Sequence, residues 1–252
     1  MFSEFCAYFA GRKRTWIGIL VVCLLPLFLS IRATAADYSI ITIDFAPWSM
    51  DRNTGIFPDI VKEIEKRLGT NKTPRKLPLN RVLKHDAVAD ENYILAPVTR
   101  TVSFEKDWTW IVNVMPFEIV FVTVGGDPVD LEAASGLERI LAYKNLPAYN
   151  LLVKKGFTNI DAYPWGKLAL LKMLAAGRAD AWCVDRSFAK FLSRGTPYEG
   201  KLVFGPPIFK SGLYIAGTKN IDPQIVNDYR KVFEEIRVEG IVDEIIIKYL
   251  GE

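Results

Sequence analysis

From Tyr38 onward, apolar residues fall in short runs separated by polar turns, and the period of each run predicts its element. Tyr38–Ile43 (YSIITI) is apolar and β-branched, the pattern of a buried strand. It ends at Asp44, and Phe45-Ala46-Pro47-Trp48 follows as a loop. Ile60, Val61, Ile64 and Leu68 share one face of a predicted helix over Asp59–Leu68, which Gly69 stops. A short strand is expected at Lys76–Leu79, a helix at Asn80–Ala89, and a strand at Tyr93–Val98 that closes in Thr99-Arg100-Thr101. Glu118–Val124 (EIVFVTV) is a strong strand running into the turn Gly125-Gly126-Asp127-Pro128.

The second half repeats this rhythm. Strands are predicted at Arg139–Tyr143, Asn159–Ala162, Ala179–Val184, Leu202–Phe204 and Gly212–Gly217. Helices are predicted at Pro147–Lys155, Lys167–Ala176 and Ser187–Ser193. Asp222 and Pro223 open a C-terminal helix that Gly240 interrupts and residues 241–250 resume. Alternating strands and helices argue for an α/β protein with mostly parallel sheets covered by helices. Val82–Arg100 and Leu168–Arg186 echo each other as helix, Ala-Asp turn, short strand and polar cluster, as two units of similar build would.

The first 35 residues follow a different logic. Arg12, Lys13 and Arg14 precede the uncharged run Trp16–Leu29, and Ala33-Thr34-Ala35 supplies small residues beyond it. This basic, apolar, small order is that of a secretory signal peptide, and the run is short for a membrane span. The segment also accounts for the net charge of +3: it holds four of the 32 Lys and Arg and one of the 29 Asp and Glu. Residues 36–252 are therefore balanced, with no basic stripe to track nucleic-acid phosphates. Of three cysteines only Cys183 lies beyond the segment, so no disulfide closes within residues 36–252, and the fold must rest on its apolar core.

Candidate chemistry gathers at strand ends, where open α/β sheets bind their ligands. Asp185 follows the strand Ala179–Val184, and its alternatives are a ligand or an ion pair with Arg186 or Arg178. Arg100 follows a buried strand and needs an anionic answer, from a ligand or from a structural carboxylate. Thr99 and Thr101 alternate about it, so one of them is expected to face a cleft. Phe45 and Trp48 offer stacking faces or pack their own loop, and Asp44 either accepts a ligand hydrogen bond or caps a turn. Trp165, just before a predicted helix, closes over a ligand or packs on the surface. Trp108 and Trp110 read as packing residues.

These motifs together resemble family 3 of the bacterial extracellular solute-binding proteins. The resemblance is carried by Asp44–Trp48 (DFAPW), Gly55–Val61 (GIFPDIV), Ile94–Trp110 (ILAPVTRTVSFEKDWTW), Ala175–Ala181 (AAGRADA) followed by Asp185, and Tyr249-Leu250-Gly251. It implies a type II periplasmic-binding-protein fold: two α/β lobes with mixed sheets covered by helices, joined by two hinge strands. On this frame residues 1–35 are the signal peptide, 36–124 begin lobe 1, 125–207 form lobe 2 and 208–252 return to lobe 1. In this family a lobe-two aspartate, matched by Asp185, holds an α-ammonium. The arginine that clamps the α-carboxylate is replaced by Phe104, with Arg100 earlier in the chain. Asn145 and Leu146 stand where the family places Ser or Thr before the Pro147 helix.

The resemblance further implies a monomeric periplasmic receptor, without cofactor or metal, that captures a small polar solute and delivers it to a membrane ABC permease. Two alternatives come with it. One is a periplasmic enzyme on the same fold, similar to cyclohexadienyl and arogenate dehydratases; the sequence shows no His-carboxylate or Cys-His pair for such work, leaving only a buried carboxylate such as Asp185 or Glu118. The other is a sensing module for a membrane kinase.

Overall fold

A computed structural model of the chain describes residues 37–50, 54–78, 81–82, 92–165 and 169–251. The expected signal segment, residues 1–35, and most of the helix expected over 80–89 lie outside these residues. Ala36–Glu252 form one unit. Its strands are β1 (Ser39–Ile43), β2 (Arg75–Leu77), β3 (Tyr93–Thr99), β4 (Trp108–Val124), β5 (Ile140–Tyr143), β6 (Ile160–Tyr163), β7 (Ala181–Asp185), β8 (Leu202–Phe204) and β9 (Phe209–Thr218). The helices are α1 (Ile56–Leu68), α2 (Leu131–Ser135), α3 (Pro147–Lys154), α4 (Ala169–Ala175), α5 (Arg186–Ser193), α6 (Pro223–Val238) and α7 (Ile241–Leu250).

One mixed sheet runs β2-β1-β3-β9-β4-β7-β5-β6, with β8 also paired to β4. Its two wings are parallel: β1 pairs with β2 and β3, and β5 with β6 and β7. Between them β9 runs antiparallel to both β3 and β4, and β4 runs antiparallel to β7. β4 is 17 residues long, about 55 Å of extended chain. Sequence reasoning placed this strand only from Glu118. Its first ten residues, Trp108 to Phe117, were missed because Asn113 and Pro116 interrupt the apolar run; shifts in the β4–β9 register at Trp110–Val112 and Asn113–Met115 absorb the interruption. β9 likewise starts at Phe209 rather than Gly212, and α1 at Ile56 rather than Asp59. The short helix α2, capped by Asp130 accepting from the Ala133 N–H, had no apolar period to reveal it.

Alternation along the buried strands divides them between two cores. Ile40, Ile94 and Ala96 face the main cluster, which includes Ile60, Val61 and Ile64 of α1. Ile41, Ile43, Leu95 and Val98 point to the opposite face, where they meet Trp108 and Val82. Both faces are covered, which is why these strands read as continuous apolar runs.

Two acidic side chains, Glu65 and Asp185, are buried among the described residues, and Glu65 ties three elements together. Glu65 of α1 is 1% exposed. Tyr38 Oη donates to its Oε1 at 2.7 Å, Tyr229 Oη of α6 donates to the same oxygen, and Thr70 Oγ1 donates to Oε2 at 2.5 Å. A buried charge is tolerable only with such a set of donors. Burial raises both phenol pKa values above the usual tyrosine range, so both remain donors. The cluster fastens β1, α1 and α6 together. Tyr229→Phe removes one charge-assisted bond and is expected to lower stability by about 1.5–3 kcal/mol. Urea denaturation of residues 36–252 checks this, and an unchanged midpoint would show that the Tyr229 hydroxyl is redundant beside the donors from Tyr38, Thr70 and the Lys72 backbone.

Candidate functional site

The loop after β1 is pinned from several sides. Phe45 and Ser49 exchange backbone hydrogen bonds of 2.8 and 2.9 Å, and the Phe57 N–H donates to the Trp48 carbonyl at 2.8 Å. Gly55 lies against this loop at φ 117°; a Cβ there would sit 2.8 Å from Ser49 Cα. Its N–H donates to Tyr249 Oη, which in turn donates to Asp59 Oδ2 at 2.8 Å. The C-terminal helix α7 thereby holds the loop and the start of α1 in place.

So fixed, Phe45 and Trp48 become part of an aromatic layer. Phe45 stacks on Trp48 at 4.5 Å between ring centroids and meets Trp165 at 4.7 Å. Trp165 stacks on Phe188 at 4.9 Å and touches Tyr143 at 4.7 Å. Trp48 is wholly buried. The layer draws on the loop after β1, the end of β5, the second residue after β6 and the first turn of α5. Tyr143 and Phe188 were missed from sequence, where each is one apolar residue in an element that needs several. The layer borders a cavity of about 30 Å³ that Cys183 and Asp185 also line.

Asp185 is committed to backbone. Its Oδ1 accepts from the Phe188 N–H at 2.9 Å, capping α5, and its Oδ2 accepts from the Glu118 N–H at 3.0 Å, joining α5 to β4. Arg186, one of the two ion-pair partners that the sequence offered, instead engages Glu118 at 3.0 Å and the Gly205 carbonyl. Asp185 is 5% exposed. Burial pushes its pKa up to about 7 against the opposing effect of the backbone donors.

Arg100 is answered by a structural carboxylate. Its guanidinium grips Glu105 in a two-pronged pair of 2.9 and 2.5 Å and lies 5.3 and 5.5 Å from the ring centres of Trp110 and Tyr214. Asp44 is partly exposed and pairs with Lys76 of β2 at 3.4 Å. Neither Arg100 nor Asp44 lines a cavity described here.

The roomy space lies on the other side of Phe45, a cleft of about 550 Å³. From the β1–β3 wing it takes Ile43, Leu95, Val98, Thr99 and the turn 101–104. From the other wing it takes Asn145, Leu146, Pro147, Asn150 and Leu151, at and along α3. Thr99 and Thr101 both line it, against the expectation of one, because the chain leaves β3 at Thr99 and the strand alternation ends there. Asn145 turns the chain into α3 at φ 65°. Phe104 lines the same wall. Of the nine expected site residues the cleft thus gathers Phe45, Thr99, Thr101 and Asn145, while Trp48, Trp165 and Asp185 stand with Phe45 at the aromatic layer.

A sheet with two parallel wings bridged by two antiparallel strands, with a cleft lined from both wings, is the arrangement of periplasmic-binding-protein-like folds, and solved structures agree. A histidine kinase sensor domain with similarity to periplasmic binding proteins matches with a TM-score of 0.70 at 15% identity, over 86% of this chain and 97% of that one. A probable amino-acid ABC transporter extracellular-binding protein from Bacillus subtilis matches with a TM-score of 0.69 at 18% identity, over 86% and 99%. An ancestral arginine-binding protein bound to glutamine matches with a TM-score of 0.65 at 19% identity, over 85% and 98%. All three are named for binding or sensing. No family model and no curated protein sequence matches this chain. The likeness is one of fold.

The raised pKa of Asp185 has a signed consequence. A carboxyl that holds its proton more tightly when folded contributes stability that is full below its unfolded pKa of 3.8 and is lost as pH rises through about 7. Between pH 5 and 7 this group should lower stability by up to about 1.4 kcal/mol per pH unit. Asp185→Asn keeps a capping oxygen and is expected to flatten that decline. Urea denaturation of both proteins at pH 5, 6 and 7 checks it; parallel profiles would mean that Asp185 ionises like an exposed carboxyl.

Proposed function

We propose that the protein is a solute-binding receptor, exported to the periplasm by residues 1–35, that captures a small solute between two lobes and delivers it to a membrane ABC permease. Lobe 1 comprises residues 36–124 and 208–252, lobe 2 residues 125–207, and β4 and β9 are the hinge strands. The observation that carries this reading is the cleft: its volume suits a small molecule, and its walls come from both wings of the sheet. A ligand held by both wings favours the arrangement in which they are together, and that difference is what a permease can read. The ligand-facing residues on this reading are Phe45, Thr99, Thr101 and Asn145, with Trp48 and Trp165 backing Phe45. Asp185 and Arg100 shape the hinge and the turn instead.

The binding proteins among the fold neighbours support this reading. The histidine kinase sensor domain supports a second, in which the same binding event is reported to a membrane kinase. An enzymatic role finds less support: the described polar residues of the cleft are Thr, Ser, Asn and Lys, and among the described residues the one carboxyl with a raised pKa, Asp185, accepts from the Glu118 and Phe188 backbone.

Residues 36–252, unfolded and refolded to remove carried ligand, test the proposal in a thermal-shift panel of amino acids, amines, dicarboxylates, oligosaccharides and aromatic compounds, with prephenate and arogenate assayed for turnover. A ligand at a hundred times its dissociation constant should stabilise the protein by about 2.7 kcal/mol. Stabilisation without turnover is the expected result. Turnover of either acid would move the protein to the enzymes, and silence across the panel would count against a receptor.

A further inference from the structure

Resting on the receptor reading above, we infer that the solute has an apolar body and uncharged polar groups, rather than the paired charges of an α-amino acid. The two charges that the sequence offered to a zwitterion are both engaged elsewhere. Asp185 is 5% exposed, accepts from the Glu118 and Phe188 backbone N–H groups, and shares a small cavity with Phe45, Trp48, Trp165 and Phe188. Arg100 holds both oxygens of Glu105 through its Nε and Nη2. The space beside Asp185 is about 30 Å³, against about 550 Å³ in the cleft.

The cleft walls carry a different chemistry. Ile43, Leu95, Val98 and Trp108 also belong to the second hydrophobic cluster, so the cleft opens onto the side chains of a core. Phe104 and Leu151 extend this apolar surface across to α3. The hydrogen-bonding groups are neutral hydroxyls and amides: Thr99, Thr101, Ser103, Asn145 and Asn150. Among the described lining residues only Lys154 is charged, and it is an exposed side chain in the last turn of α3. A zwitterion entering such a space sheds water from two charges without a matched counter-charge for each, a cost that apolar contact does not return. A ring or chain with an amide or hydroxyl leaves no charge uncompensated, and it covers the apolar wall.

Indole-3-acetamide and tryptophan share a ring system and differ in the charges, so they form the test pair, with glutamine as a polar control. Isothermal titration of refolded residues 36–252 is expected to show the acetamide binding at least tenfold more tightly than tryptophan, with glutamine silent. Leu151→Trp, which fills the cleft from α3, should weaken the acetamide at least tenfold. Thr99→Val, which keeps the shape and removes a hydroxyl, should weaken it severalfold; the unliganded melting temperature of each variant verifies its folding. Tryptophan or glutamine binding more tightly than the acetamide would overturn the inference and leave the receptor reading standing. Acetamide binding unchanged in both folded variants would place it outside the cleft and would also overturn the inference. Silence from these probes and across the whole thermal-shift panel would overturn both.

Discussion

The 17 residues of β4 are held by β9 along most of one edge, by β8 beyond it, and by β7 over Ile119–Val122 on the other edge, where Asp185 and Arg230 meet backbone groups that no strand reaches. This central strand is what makes one sheet from two parallel wings. β9 extends the arrangement by pairing with β3 as well as β4, so the chain crosses between the wings only through extended, hydrogen-bonded segments. Asp185 strengthens the junction, since one carboxyl accepts from β4 and from the start of α5. The wings, the cleft between them and the loops that line it all inherit their positions from this ladder.

The aromatic layer has the next largest effect. Phe45 belongs to both spaces: one face of its neighbourhood is closed by Trp48, Trp165 and Phe188, and the other opens on the cleft. Stacking here buries large rings against each other, which stabilises the contact through area and through ring geometry. Its consequence for recognition is exclusion. On the proposed reading Asp185 serves the fold, and what meets a solute is the apolar wall with its rim of hydroxyls and amides.

Much of the fold was legible in the sequence, because buried strands and amphipathic helices leave periodic signals. Tyr38–Ile43, Tyr93–Val98 and the paired C-terminal helices all stand close to their expected places. The first half of β4 was not legible, since Asn113 and Pro116 break its alternation and only pairing with β9 over a distorted register makes it a strand. The site was legible in part. Position at a strand end pointed to one of Thr99 and Thr101, whereas both line the cleft, and it could not foretell what Arg100 and Asp185 would hold. Glu105 lies only five residues from Arg100, yet side-chain direction at a turn is a property of the folded chain. The partner of Asp185 is the Glu118 backbone, 67 residues away, and no side-chain type announces a backbone donor. The resemblance to family 3 pointed to the fold that the solved structures share, at identities of 15–19% that speak for fold alone.

The account stands on the claim that the cleft between the wings is where a solute binds. A crystal structure of residues 36–252 with the tightest ligand from the thermal panel tests it most directly. The account predicts the ligand against Leu95, Val98 and Phe104, within hydrogen-bond distance of Thr99 or Asn145, with Arg100 still on Glu105. A ligand seated on Asp185 with Trp165 displaced and the cleft empty would contradict it.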